Sequence, residues 1–97
     1  MGFRVKINAS AVADLAGIVS YVAADHPEAA TRLGNALLDA AFSLSAAPFK
    51  GSRYPKFADV RRITLPPYKI FYRVEEADQV VEILRFWHSS RSDPDFP

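Results

Sequence analysis

The chain begins with Phe3-Arg4-Val5-Lys6-Ile7, where apolar and basic residues alternate with a period of two, the pattern of a short strand with one buried face. Leu15, Ile18, Val19 and Val22 then recur at three-and-four spacing and line one side of a helix over about residues 9–24, with Asn8 and Ser10 both able to cap its first turn. Asp25-His26-Pro27 ends that helix. Proline donates no backbone hydrogen bond, yet it suits the first position of a second helix, whose positive end Glu28 then meets. His26 reads as a cap or turn residue between the two. Leu33, Leu37, Ala41 and Leu44 continue the stripe, widened by Leu38 and Phe42, until Ala46-Ala47-Pro48 stops it. A link this short makes the two helices an antiparallel hairpin.

From Pro48 to Ala58 the Gly and Pro content predicts a loop, rich in basic and aromatic residues. Beyond it the segments Val60–Leu65, Tyr68–Glu75 and Val80–Trp87 are dominated by β-branched and aromatic residues, separated by Pro66-Pro67 and Glu76-Ala77-Asp78. Both separators fit hairpins, so the three form an antiparallel meander. The first strand must join the same sheet, because alone it would leave its backbone groups unpaired. The predicted architecture is α+β, in the order βααβββ: an antiparallel sheet with an N-terminal helical hairpin packed on one face. Residues 1–97 read as a single domain and Ser89–Pro97 as a short polar tail.

Composition narrows the chemistry. With 49% apolar and 24% charged residues the chain is globular, and without cysteine it has neither disulfides nor thiolate metal sites, in keeping with a reducing cytoplasm. The two histidines, His26 and His88, lie far apart, so no metal and no cofactor are expected. Met1–Asn8 lacks the apolar run of a signal peptide, and no stretch approaches the ~20 apolar residues that span a bilayer, which predicts no membrane association. The net charge of +1 implies no partner by itself. Its distribution does. Between residues 50 and 73, Lys50, Arg53, Lys56, Arg61, Arg62, Lys69 and Arg73 face a single acid, Asp59, seven cations against one anion and a local balance of +6.

Gly-rich phosphate loops, GxSxG elbows, HExxH helices and paired-Asp motifs are all absent. What remains is a cationic constellation: Arg61, Arg62, Lys69 and Arg73 on adjacent strands, Arg85 and His88 on the next, and Arg91 just beyond. Strands lie ~4.8 Å apart, so these positions can converge on the uncovered sheet face and meet an anionic substrate. Cleaving a phosphodiester through the ribose 2′-hydroxyl needs charge at the phosphate, which arginine and lysine supply, and proton transfer, which suits a histidine. The same residues serve equally well as solvated strand charges, and a histidine at a strand end as a hydrogen-bonded structural group. Tyr68, Phe71, Tyr72, Phe86 and Trp87 pack the sheet, although Tyr72 or Trp87, if exposed, could stack a base.

The run DVRRITLPPYKIFYRVEEADQVVEILRFWHSSR resembles the RelE/ParE superfamily of bacterial type II toxin–antitoxin toxins, which carry R-x-I/L, a turn, Y-K/R-I/L-x-Y-x-V and then V-x-I-L-R with a His. Upstream, Ala11-x-x-Asp14-Leu15-x-x-Ile18-x-x-Tyr21-Val22 is similar to that family's first helix, and Ala46-Ala47-Pro48 with Gly51 to its passage into the sheet. The resemblance covers nearly the whole chain and implies the same βααβββ order. It implies a cognate antitoxin and one of two targets. RelE-like members cut mRNA on the ribosome, and their basic residues match Arg61 or Arg62, Lys69 and Arg91, with His88 where a related branch has a catalytic histidine. ParE-like members bind DNA gyrase, and the Y-x-I-x-Y-x-V and I-L-R-x-x-H strands read closer to them. The tyrosine that ribonuclease members use near the C-terminus has no counterpart after Tyr72. A non-toxic binding domain is the third reading. If the chain is a nuclease, Arg61, Lys69, His88 and Arg91 are its expected catalytic residues. Lys50, Arg53, Lys56, Arg62, Arg73 and Arg85 are expected to bind target or antitoxin.

Overall fold

The computed structural model describes residues 2–96. A strand β1 (Arg4–Ile7) leads into two helices, α1 (Ala9–Ala23) and α2 (Pro27–Phe42), the second running into a 3₁₀ turn at Ser43–Ser45. Four strands follow: β2 (Ser52–Arg53), β3 (Val60–Leu65), β4 (Tyr68–Glu75) and β5 (Val80–His88). Local chemistry explains the helix starts. The Asn8 side-chain oxygen accepts from the Ala11 N–H at 2.9 Å, while Pro27 opens α2, where His26 occupies the cap position without a side-chain bond.

The five strands form one sheet in the order β1-β5-β4-β3-β2. The α+β class, the helical hairpin and the meander are as the sequence predicts, with two differences. β1 pairs with β5 in parallel, so the sheet is mostly antiparallel. Alternation encodes which side chains point inward but not strand direction. The second difference is β2, two residues of the predicted loop that pair with β3 through Ser52↔Arg62 and Arg53↔Arg61.

Strand register assigns every side chain to a face. Arg61, Ile63 and Leu65 pair with Tyr72, Ile70 and Tyr68 beneath the helices, whereas Val60, Arg62 and Thr64 pair with Arg73, Phe71 and Lys69 on the far side. On the helix side Ala11, Leu37, Ala41 and Leu44 close over Tyr68, Ile70, Tyr72, Val81, Ile83 and Phe86. Each large apolar side chain buried there contributes about 1.5–3 kcal/mol. Gly51 lies against this core because it must: a Cβ at that position would come within 2.5 Å of the Tyr72 hydroxyl, which accepts a hydrogen bond from the Gly51 N–H.

The far side is covered as well, which the sequence did not lead us to expect. Tyr54, Val60, Phe71, Leu84 and Trp87 form a second, smaller core against which Phe96 packs. The predicted polar tail is therefore a strap. The Trp87 indole N–H donates to the Ser92 carbonyl at 2.8 Å, Arg85 donates to the Asp95 carbonyl at 2.9 Å, and Asp93 pairs with Lys56. A single aromatic in a polar segment carries no periodicity, so nothing in the tail's pattern announced it.

Candidate functional site

β5 contains a bulge that decides where the chemistry lies. Its register with β4 runs from Glu75↔Val80 to Tyr72↔Ile83, shifts, and resumes with Phe71↔Arg85, leaving Leu84 as the extra residue. Strict alternation from Ile83 would send Arg85 and Trp87 toward the helices and Phe86 and His88 away. The bulge reverses all four. Phe86 joins the main core, His88 comes to the helix side opposite Tyr68, and Arg85 and Trp87 go to the far face.

Asp14 of α1 holds that arrangement. Its carboxylate accepts from Arg85 Nε at 2.7 Å, from Arg85 Nη2 at 2.8 Å and from the Phe86 backbone N–H at 3.2 Å. The pair is largely withdrawn from water, with side chains 11% and 18% exposed for Asp14 and Arg85, and the bond to Asp14 leads in raising the Arg85 pKa above its ordinary value. Two parallel bonds to a guanidinium fix geometry as well as charge.

The expected site residues fall into separate places. Arg61 lies on the helix side of β3, donating to the Gly51 carbonyl at 2.8 Å and the Phe49 carbonyl at 3.3 Å with its guanidinium over the Phe49 ring. Arg62, Lys69, Arg73, Arg85 and Trp87 share the far face. Carboxylates already engage part of that set: Arg73 pairs with Asp59 at 2.7 Å and Glu82 at 3.6 Å, Arg85 with Asp14, and Lys56 with Asp93. Arg53 donates only to the Ala58 carbonyl and Lys50 to the Ser43 hydroxyl, both at the surface. Among the described residues Arg62, Lys69 and Arg91 have no carboxylate in ion-pair range. Arg62 lies over Tyr54, and Arg91 stacks on Trp87 at 3.8 Å. Tyr72 and Trp87 are both buried, so neither offers a free ring to a base.

His88 and Arg91 do come together. They line a cleft of about 500 Å³ between α1 and the end of the β4–β5 pair, with Ala13, Asp14, Gly17, Ile18, Tyr21, Val22, Tyr68 and Phe86. The Tyr68 and His88 rings meet edge to face at 5.3 Å. His88 Nδ1 accepts from the Ser90 N–H at 3.1 Å, so the neutral imidazole carries its proton on Nε2. Two donors, the His88 Nε2–H and the Arg91 guanidinium, thus edge a mostly apolar trough.

Residues 5–93 match the sequence model of the ParE toxin of the type II toxin–antitoxin system parDE. The chain belongs to the ParE toxin family. Solved structures share its fold. The chromosomal ParDE system from P. aeruginosa superposes with a TM-score of 0.77 at 24% identity, over 89% of this chain and 95% of that one. The RelBE2 toxin–antitoxin complex from Mycobacterium tuberculosis gives 0.72 at 24% identity, over 91% and 99%. A mutant E. coli RelE in the free state gives 0.67 at 15% identity, over 93% and 86%. Curated protein sequences give no significant match.

In this ParE-family toxin the family-like positions of α1 acquire distinct duties. Ala11 and Leu15 belong to the main core, Asp14 clasps the bulge, and Ile18, Tyr21 and Val22 form a wall of the cleft. Residue-by-residue reading missed the cleft because its halves lie some fifty residues apart in sequence. Among the described residues no group of three or more His and acidic side chains is arranged to hold a metal ion, and no helix is long and apolar enough to cross a membrane.

Proposed function

We propose that this toxin arrests growth by binding DNA gyrase, without chemistry of its own, and that a cognate antitoxin neutralises it inside the cell that makes both. The observation that carries this reading is the dispersal of the residues a ribonuclease would need. Arg61 and Lys69 point to opposite faces of the sheet, Arg61 is held by two backbone carbonyls, and His88 lies on the face opposite to Lys69, an arrangement that favours binding over convergence on one phosphate. Binding tolerates such dispersal; proton transfer and charge stabilisation at a single scissile bond do not. The antitoxin follows from the ParE family and from the toxin–antitoxin composition of the ParDE and RelBE2 neighbours. The test is a purified gyrase supercoiling assay. Wild type and His88→Gln should both inhibit, with affinities differing by no more than a hydrogen bond's worth, about 0.5–1.5 kcal/mol.

A RelE-like, ribosome-dependent mRNA endoribonuclease has one specific observation in its favour: His88, Arg91 and Tyr68 do share the cleft. There a general acid–base histidine would contribute ~10²–10⁴ in rate. Wild-type protein inert toward gyrase, with ribosomal mRNA cuts that vanish in His88→Gln, would establish that reading instead.

A further inference from the structure

Tyr21 is the most exposed large apolar side chain among the described residues, with 84% of its surface in water. The exposed rings of Phe49 and Phe57 at least meet other rings, Phe3 for the first and Tyr54 and Phe96 for the second, whereas no aromatic ring lies against Tyr21 among the described residues. One turn earlier on α1 stands its opposite, Gly17, where glycine weakens the helix relative to alanine. A Cβ on Gly2 would collide with Ser45, one on Gly34 would press Val19 at 3.1 Å and one on Gly51 would meet Tyr72, but a Cβ on Gly17 would meet no atom within 4 Å. A ring without a partner and a recess without an occupant thus lie side by side, and both line the same cleft of about 500 Å³.

A projection and a recess on one surface suit a two-fold contact, because each copy in such a pair offers both. Residues four apart stack along a helix face, so Ala13, Gly17 and Tyr21 form one row beside the cleft. Two such rows laid antiparallel about an axis at Gly17 bring each Tyr21 opposite the partner's Ala13, where no bulky side chain bars the ring. Charge agrees with this pairing. None of the exposed residues of α1 is charged, so the face meets a copy of itself without like-charge repulsion, whereas α2 exposes Glu28, Arg32 and Asp39, the ordinary solvated pattern. Area sets the strength. The 15 residues of α1 span roughly 22 Å, and a helix face ~10 Å wide with one ring seated in each cleft falls short of the ~800 Å² that each partner gives to a standard interface, which places the dissociation constant in the micromolar range.

We infer that the toxin pairs with a second copy of itself through α1, each Tyr21 ring seated over the partner's Ala13 and Gly17 in the mouth of the cleft. The second copy supplies the ring that fills this space, so toxin accumulating by itself covers its own cleft. The pairing is independent of the target proposed above.

Sedimentation equilibrium of the purified full chain is the first test. Wild type should show a monomer–dimer equilibrium that is nearly the same at low and high salt, since no ion pair holds it. Tyr21→Ala should weaken it about tenfold or more, and Gly17→Leu, which fills the recess, should do the same; the Tm should hold in the first and hold or rise in the second. The second test reads the register. The chain has no cysteine, so a single introduced thiol reports contact without background. A disulfide needs Cα atoms roughly 4.4–6.8 Å apart, a spacing that only residues on the axis reach with their own counterparts. Gly17→Cys should therefore give a crosslinked dimer under mild oxidation, and Asp39→Cys, exposed on α2, should not. Wild type that stays monomeric at about 1 mM, a dimer that high salt disperses, full dimerisation by Tyr21→Ala, or crosslinking at Asp39→Cys as ready as at Gly17→Cys would each overturn the inference.

Discussion

The sheet carries two cores of different construction. Under the helices, aliphatic and aromatic side chains from regular elements interlock, and the helix residues were announced by their spacing. On the far side, Tyr54, Phe71 and Phe96 meet ring to ring, with Tyr54 from a loop and Phe96 from the terminal strap, and an ion pair and two carbonyl contacts draw the strap in. The first core is a property of secondary structure, whereas the second depends on irregular chain being tied down. The far face should therefore open while the helix side stays closed.

The largest test is Leu37→Ala, which empties a fully buried site in the main core and should cost ~2–5 kcal/mol in urea unfolding. A loss below that of any far-face variant would reverse the ranking of the two cores. Next comes the clasp between them. Asp14→Ala leaves the Arg85 guanidinium largely buried without its partner and should cost about 3 kcal/mol, somewhat less where water reaches the pair. Unchanged stability would mean that the bulge holds itself.

Phe96→Ala should cost about 1 kcal/mol, since this ring is only partly buried. Its signature is regional: amides near Tyr54 and Trp87 lose hydrogen-exchange protection while Ile70 and Ile83 keep theirs. Uniform loss would show one cooperative core rather than two. Lys69→Ala, with no ion-pair partner, should change stability by no more than about 0.5 kcal/mol, and Arg61→Ala by more, because Arg61 ties β3 to the Phe49–Gly51 loop. The gentlest probe is acid. The hydrogen bond from Lys56 leads in lowering the Asp93 pKa, so the strap's ion pair is intact above the ordinary carboxylate value of roughly 4 and is lost as pH falls through the lowered one. Trp87 fluorescence should report this loosening before global unfolding, and Asp93→Asn should abolish the early phase.

What the sequence made legible follows the same division. Periodicity exposed both helices, and β-branched and aromatic runs exposed β3, β4 and β5, because packing of regular elements imposes a repeat. The order of motifs also placed Asp14, Gly51 and His88 at family-like positions. Hidden were features without a repeat: the two residues of β2, the parallel direction of β1, and the strap around Phe96. The candidate site was half legible for the same reason. Its cations could be named, but the faces of Arg85 and His88 depended on Leu84, one residue that alternation cannot count.

That extra residue also bears on how relatives of this toxin are compared. Residues 85–88 owe their sides of the sheet to a single insertion, so homologues with and without it can hold the same four letters in the same columns yet present them to different surroundings. A gap set one position away would credit a core phenylalanine with the history of the arginine that Asp14 clasps. Matching these chains by strand partner, His88 against whatever faces Tyr68, tracks inheritance where matching by column number loses it.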